Sequence, residues 1–250
     1  MVIQTPIPAR TVVALAAALV LTSCTHEPPK QPASTPENKD HSTTRWIPNR
    51  AVDLMSPEGT FIRAATESFS AAQTTTGDPT TALHAGGYPG YEHAFNNSWK
   101  PAEVFGANPS RNVIVGTSYR EVVSLAKDGD HFKAGICSYD SQLADQLTNG
   151  HYRTTQMLGS GRWLTFGPDP KLSPQEQYSP MTNQKGPASR PTDNVFGTWI
   201  VFKDTVLTAD TLPQCNSPAP GTPKDFRPGE HSDPPPTLPP DPGWPDAGTA

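Results

Sequence analysis

The uneven distribution of proline divides this chain into segments with different capacities to form helices and strands. Of its 250 residues, 30 are proline, or 12% against about 5% in average proteins. Four lie in residues 25–44 and eleven in residues 216–250, whereas the 168 residues of 45–212 contain only twelve. Proline lacks a backbone N–H and interrupts helices and central strands. We therefore predict a disordered linker at 24–44, a single domain at 45–215 and a disordered Pro-rich tail at 216–250.

The charge of the chain excludes one class of partner. Its formal net charge is −5, and it contains no basic run that could neutralise phosphates. We therefore expect no nucleic acid partner. The mean hydropathy of −0.54 also excludes a protein that crosses a membrane several times. The tail carries polyproline turns that suit either partner binding or simple spacing, and the sequence leaves both open.

The first 23 residues have the pattern of an export signal. An uncharged apolar stretch, residues 11–21, follows the single basic residue Arg10. Its eleven residues are too few to span a bilayer, which takes about 20, but they fit the apolar core of a signal peptide. The alternative, a buried core helix, fits poorly because a polar, Pro-rich segment follows at once.

The end of this stretch is more specific. Leu21-Thr22-Ser23-Cys24 resembles the lipobox of bacterial lipoprotein signal peptides, as in actinobacterial lipoproteins. The resemblance implies removal of residues 1–23, a diacylglyceryl group on the Cys24 thiol, and acylation of the new amino terminus. Two or more acyl chains hold a protein stably at a bilayer. We therefore expect a cell-membrane protein, palmitate-bearing and lipid-anchored at the extracytoplasmic face.

Two cysteines remain once Cys24 is assigned to the lipid. Outside the cytoplasm an even remainder is expected to pair, so we predict a Cys137–Cys215 disulfide. The alternative, a reactive thiol, lacks the CxxC spacing of redox motifs.

Helix signals concentrate in the first third of the predicted domain. Ser56-Pro57-Glu58 is a good helix start, because Ser caps, Pro suits the first position and Glu meets the positive end of the dipole. Apolar residues then recur at helical spacing until Gly77-Asp78-Pro79, where we expect the helix to end. A second short helix is predicted over 91–99.

Strand patterns follow from residue 112. Alternating apolar residues predict a hairpin whose turn is Asp128-Gly129, with Lys127 opposite Asp130. Further strands are predicted at 163–166 and 195–202, and the second is apolar on both faces and hence expected to be central.

Helices followed by an antiparallel sheet predict an α+β fold, with the helices packed on a curved sheet. This order resembles the cone-shaped NTF2-like (cystatin-like) fold found among small exported lipoproteins. A β-sandwich or small β-barrel is the alternative.

Candidates for chemistry are few. Enzymes with the NTF2-like fold use an acid and a histidine in a pocket, and Asp130, His131, Tyr119 and Arg120 are the residues here that the resemblance points to. Neighbouring strand residues face opposite ways, so Asp130 and His131 cannot form a dyad directly. We assign no catalytic, cofactor-binding or metal-binding residue, and expect no cofactor. The large aromatic residues are expected to form the core.

These observations predict a lipid-anchored envelope lipoprotein that acts as a non-catalytic binding or accessory module. An apolar ligand or an envelope protein would be its partner. Two alternatives stay open, namely an acid/base isomerase or cyclase with an NTF2-like pocket and a structural spacer.

Overall fold

Helix α1 (Pro57–Thr74) is the longest helix of the computed structural model, which describes residues 35–207 and 212–246. It begins where the sequence predicted: the Ser56 hydroxyl accepts a hydrogen bond from the Gly59 N–H at 3.1 Å, and Pro57 occupies the first helical position. The capping pattern is local, which is why the sequence alone locates this end.

A helix that the sequence did not predict, α2 (Pro79–Gly86), follows after four residues. Asp78 caps it by accepting hydrogen bonds from the N–H groups of Thr80 and Thr81. Helix α1 thus ends at Thr74, before the Gly77-Asp78-Pro79 cluster where we expected its end, and the cluster instead starts the next helix. Asp and Pro at these two positions are the usual signature of a helix start.

Two short helices complete the helical layer. The predicted second helix is α3 (Tyr91–Phe95), which ends earlier than expected because Asn96 adopts a left-handed conformation with φ 47°. Helix α4 (Pro101–Val104) is a single turn that was not predicted. None of the helices within residues 35–207 and 212–246 is both long and apolar enough to cross a membrane.

Eight strands of the described residues pair into one open sheet. They are β1 (Thr43–Ile47), β2 (Val113–Asp128), β3 (His131–Tyr139), β4 (Leu143–Gln146), β5 (Tyr152–Thr154), β6 (Ser160–Pro168), β7 (Trp199–Leu207) and β8 (Gly229–His231). The order is β7-β6-β3-β2-β4-β5-β8, with antiparallel neighbours throughout, while β1 pairs parallel to β2. The predicted α+β class is confirmed. The NTF2-like resemblance stays a prediction.

The hairpin between β2 and β3 is present, but its predicted register is wrong by one position. Asp128 pairs with His131, so the loop residues are Gly129 and Asp130. Positive φ occurs at Gly129 alone, as in a type II′ turn with glycine first. Between the turn and Ser124 each residue has changed partner by two places, so these side chains keep the face that the alternation predicted. A bulge between Val122 and Ser124 reduces the difference to one place beyond it.

The last predicted strand differs in extent and place. We expected a central strand at 195–202, whereas β7 starts at Trp199 and lies at one end of the sheet order. Val195 and Phe196 precede the strand and are fully buried in the main core. An apolar run such as 195–202 can therefore be buried by loops and helices at the end of a sheet. Its periodicity alone cannot distinguish this case from a central strand.

Aromatic side chains fill the space between α1 and the sheet. The rings of Phe61 and Phe166 stack with centroids 4.8 Å apart, and Phe132 stacks on Trp199 at 5.3 Å. Phe196 meets Phe61 edge to face at 5.7 Å. These contacts confirm the expectation that the aromatics form a core, and a close-packed layer occupies this part of the fold.

The order of the chain begins before residue 45. Asn38 bridges to Thr75, and Asp40 bridges to Ile114 of β2. The predicted linker of residues 24–44 is therefore too long, since its last residues extend the β1 pairing. Cys24 and the predicted signal peptide lie outside the described residues.

Candidate functional site

The C-terminal strap, which we define as residues 212–246, packs against the rest of the chain. The sequence predicted a disordered tail at 216–250 and a domain that ends at residue 215, and the structure differs on both points. Strand β8 of the strap pairs antiparallel with β5. Asp241 bridges to Arg45 of β1, and Trp244 bridges to Ala188.

A disulfide holds the first part of the strap. Cys137 of β3 is bonded to Cys215, and both residues are fully buried in a second, smaller core with Tyr119, Tyr139 and Leu212. The predicted pair is confirmed. The bond joins the strap covalently to the sheet across a separation of 78 residues.

A buried polar cluster holds the other end. Glu67 of α1 accepts hydrogen bonds from the indole N–H groups of Trp244 and Trp46, each at 2.7 Å, and from the Tyr88 hydroxyl at 2.8 Å. Trp244 is only 1% exposed. Burial, with a further contribution from the Glu67 charge, raises the pKa of Tyr88 well above its usual value, so Tyr88 stays a hydrogen-bond donor to this carboxylate.

Arg63, one turn earlier on α1, extends this cluster to the strap backbone. Its guanidinium donates hydrogen bonds to the carbonyls of Pro242, Gly243 and Gln184 at 2.7–2.9 Å, and lies 4.3 Å from the Trp244 ring centre. Desolvation lowers the pKa of Arg63, although Glu67 acts in the opposite direction. Arginine nonetheless stays protonated at any physiological pH, so a charged guanidinium holds the backbone at the end of the strap.

Between these two attachments the strap forms one wall of a groove of about 630 Å³. Ligand pockets usually enclose about 300–1,000 Å³ and are mostly apolar. The opposite wall comes from the β3–β4 connection and from β5. The groove is lined by Ser141, Gln142, Thr154, Gly221, Thr222, Pro223, Phe226, His231, Ser232, Asp233, Pro234, Pro235 and Pro236.

Hydrogen bonds hold the groove walls in place. The Ser141 hydroxyl accepts from the Ala219 N–H and shares a hydrogen bond with Thr222 at 2.8 Å. Thr154 Oγ1 lies 3.1 Å from His231 Nε2, whose ring is nearly parallel to that of Phe226. The apolar surface of the groove is therefore supported on both sides by the sheet.

The structure does not bring the candidate enzyme residues together. Asp130 lies in the hairpin turn and His131 begins β3, where its ring packs on Phe202 at 4.1 Å. Tyr119 and Arg120 pair with the far end of β3, at Tyr139 and Ser138. Asp130 and His131 therefore lie at one end of the hairpin, and Tyr119 and Arg120 lie at the other.

Arg120 has a structural partner instead. It donates to Asp140 at 2.9 Å, and the Ser118 hydroxyl donates to the same carboxylate oxygen at 2.6 Å. Both side chains are used in fixing the connection after β3. Among the described residues, no three His, Cys, Asp or Glu side chains are grouped so as to hold a metal ion.

Sequence reasoning missed both Glu67 and the groove. A signal for the strap was present, because a tail with Phe226 and Trp244 carries large apolar residues that a solvated segment does not need. The partner of Trp244 lies 177 residues away, at Glu67, and nothing local indicates it.

The chain matches no known family model, no curated protein and no solved structure.

Proposed function

We propose that this protein is an exported, lipid-anchored and non-catalytic binding module that holds an apolar small molecule in the strap groove. The observation that carries the proposal is the groove itself. A Pro-rich segment that could have stayed in solvent is folded back and fastened at both ends, and the surface between the fastenings is concave and apolar.

The size and shape of the groove favour a small ligand over a protein partner. Its volume is within the range of small-molecule sites, and the lining combines apolar rings with a few polar groups, as such sites do. Phe226 and the run of prolines at 234–236 supply the apolar surface. Protein partners more often bind to larger and flatter patches.

Two features support export and anchoring. The apolar run and lipobox-like residues before Cys24 are those of lipoprotein signals, and a buried disulfide is typical of proteins outside the reducing cytoplasm. Glu37 is the first described residue that pairs with the domain, since its N–H donates to Thr76 Oγ1 and its carbonyl accepts from the Thr76 N–H. The chain between Cys24 and Glu37 can reach at most about 50 Å, which limits how far this residue can lie from the lipid.

Binding of N-phenyl-1-naphthylamine, an uncharged dye that becomes fluorescent in apolar surroundings, tests the groove. The protein without its signal segment should bind the dye, and Phe226→Ala should weaken binding about tenfold or more, because an apolar ring is lost. Tyr178→Ala is the matched control, since it removes an aromatic ring that is 65% exposed and outside the groove.

Urea denaturation of each variant shows whether it is folded. Equal loss of dye binding in both variants, or no binding by the folded parent protein, would overturn the proposed groove function.

The intact mass of the protein extracted from bacterial membranes tests the anchor. We expect loss of residues 1–23 and the added mass of acyl chains, and we expect Cys24→Ala to remain unprocessed and without lipid. An unmodified mass for the membrane-extracted parent protein would contradict anchoring while leaving the groove proposal standing.

A further inference from the structure

We infer that the strap groove selects amphiphiles whose polar head is an ammonium group or another hydrogen-bond donor, and that Asp233 recognises this head. The inference rests on the proposed function and adds the chemical class of the ligand. It follows from which polar groups of the groove are free to meet a ligand and from the charge they carry.

Hydrogen-bond acceptors outnumber donors in the groove. Four of the lining residues are prolines, which contribute a carbonyl but no N–H. The carbonyls of Pro223 and Pro236 accept hydrogen bonds from the Phe226 N–H and the Thr117 hydroxyl, which leaves the carbonyls of Pro234 and Pro235 for a ligand. The donor side chains have partners within the protein: Gln142 donates to the Pro220 carbonyl, and the Ser232 hydroxyl donates to Asp233. A ligand that brings donors is therefore better matched than one that brings acceptors.

The charge of the groove also favours a ligand with a cationic head. Asp233 lines the groove, whereas the lining residues that the structure describes include neither Lys nor Arg, and their one imidazole, that of His231, is hydrogen-bonded to Thr154. The two basic residues of the strap, Lys224 and Arg227, are outside the lining. No ion pair involving Asp233 is found within the described chain, so its carboxylate is available for an external cation.

The apolar part of the ligand has its own place. Phe226 and Pro234–Pro236 present ring surfaces beside Asp233, so an alkyl or aromatic body can lie along the wall while the head meets the carboxylate. A cation held by a carboxylate next to an apolar wall loses less solvent than it would in a closed cavity, and it keeps most of its hydration. An amphiphile fits this arrangement better than a fully apolar molecule.

Two alkyl compounds with the same chain and opposite heads test the inference. Dodecylamine and dodecanoate, both below the concentrations at which they form micelles, are titrated at pH 7 against the dye-loaded protein. We expect dodecylamine to displace the dye about tenfold more effectively than dodecanoate. Asp233 attracts the ammonium head and repels the carboxylate head, and each of these two interactions has about the free energy of an exposed ion pair.

A charge-matched pair of variants isolates the residue. Asp233→Asn should reduce the preference to within about twofold. Asp193→Asn should leave it unchanged, since Asp193 likewise accepts a hydrogen bond from the hydroxyl of the preceding residue but lies outside the groove. The two variants have the same net charge, so an effect of the overall field would appear in both.

The outcomes separate the two levels of the proposal. Equal displacement by the two compounds, a preference for dodecanoate, or a preference that survives Asp233→Asn overturns the inference while the groove stands. Failure of the folded parent protein to bind the dye and either compound overturns the proposed function as well.

Discussion

Replacing Trp244 by alanine tests whether the strap is part of the folded domain. The side chain is 1% exposed, its indole N–H donates to Glu67 at 2.7 Å, and its ring lies under the Arg63 guanidinium. Truncation of a buried Trp costs about 3–5 kcal/mol. The loss of the hydrogen bond and cation–π contact is already part of that cost, because such terms are not additive.

The expected result is a fall of about 3–5 kcal/mol in the free energy of unfolding. With a slope of about 2 kcal/mol per molar urea, the midpoint would fall by about 2 M. Far-UV circular dichroism is the suitable probe, since the substitution itself changes tryptophan fluorescence. If the strap end is released before the domain unfolds, the shift is smaller and limited proteolysis cuts near residue 240.

Two comparisons make this test specific. Trp244→Phe keeps most of the ring but leaves Glu67 with one donor fewer, which should cost about 1.5–3 kcal/mol. Tyr178→Ala removes an exposed ring and should change stability by less than about 0.5 kcal/mol. If Trp244→Ala matches that control and its proteolysis pattern equals that of the parent protein, the buried attachment described here is refuted.

Three further predictions concern other parts of the fold. Replacing Cys137 and Cys215 together by serine should lower the free energy of unfolding by up to about 4.5 kcal/mol, the chain-entropy value for a 78-residue loop, and unchanged urea midpoints would contradict it. The Asn149 amide, and after it His151, lower the pKa of Glu230. This interaction therefore stabilises the pairing of β8 at pH values above the ordinary pKa of Glu, and the stabilisation is lost as the pH falls through the lowered pKa. Asn149→Ala should raise the pKa of Glu230 in a carboxyl NMR titration, and an unmoved value would exclude the contact. Gly129→Ala should destabilise by about 1–2 kcal/mol through backbone strain alone, because φ is +60° and an added Cβ meets no atom within 4 Å; thermal unfolding identical to that of the parent protein would argue against the turn.

The sequence predicted what depends on neighbours along the chain. The start of α1 follows from a Ser-Pro-Glu signal within three residues, and the disulfide follows from counting cysteines. The hairpin was also predicted, but Asp128-Gly129 and Gly129-Asp130 are both plausible loops, and only the pairing with the rest of the sheet selects the second. Local chemistry thus identifies an element more readily than its register.

What the sequence could not predict depends on distant contacts. β7 was expected to be central because both of its faces are apolar, but cover from helices and loops gives the same pattern at the end of a sheet. The strap has the composition of a disordered segment. Its attachments are to residues far away in the sequence, and the partners Arg63 and Glu67 lie on a helix whose apolar periodicity predicts only an apolar face.

The prolines that made the strap look unfoldable also help to explain how it is held. Proline has little conformational freedom to lose on ordering, and it has no N–H that burial would leave unpaired. A Pro-rich segment therefore needs neither a strand partner at every residue nor a continuous apolar face, and side chains of the domain can hold it through its carbonyls, as Thr117 and Arg45 do at Pro236 and Pro239. The same missing N–H groups leave carbonyls of the groove without matching donors. The property that lets this segment dock through its carbonyls thus also contributes to the donor-bearing ligand preference that we infer for it.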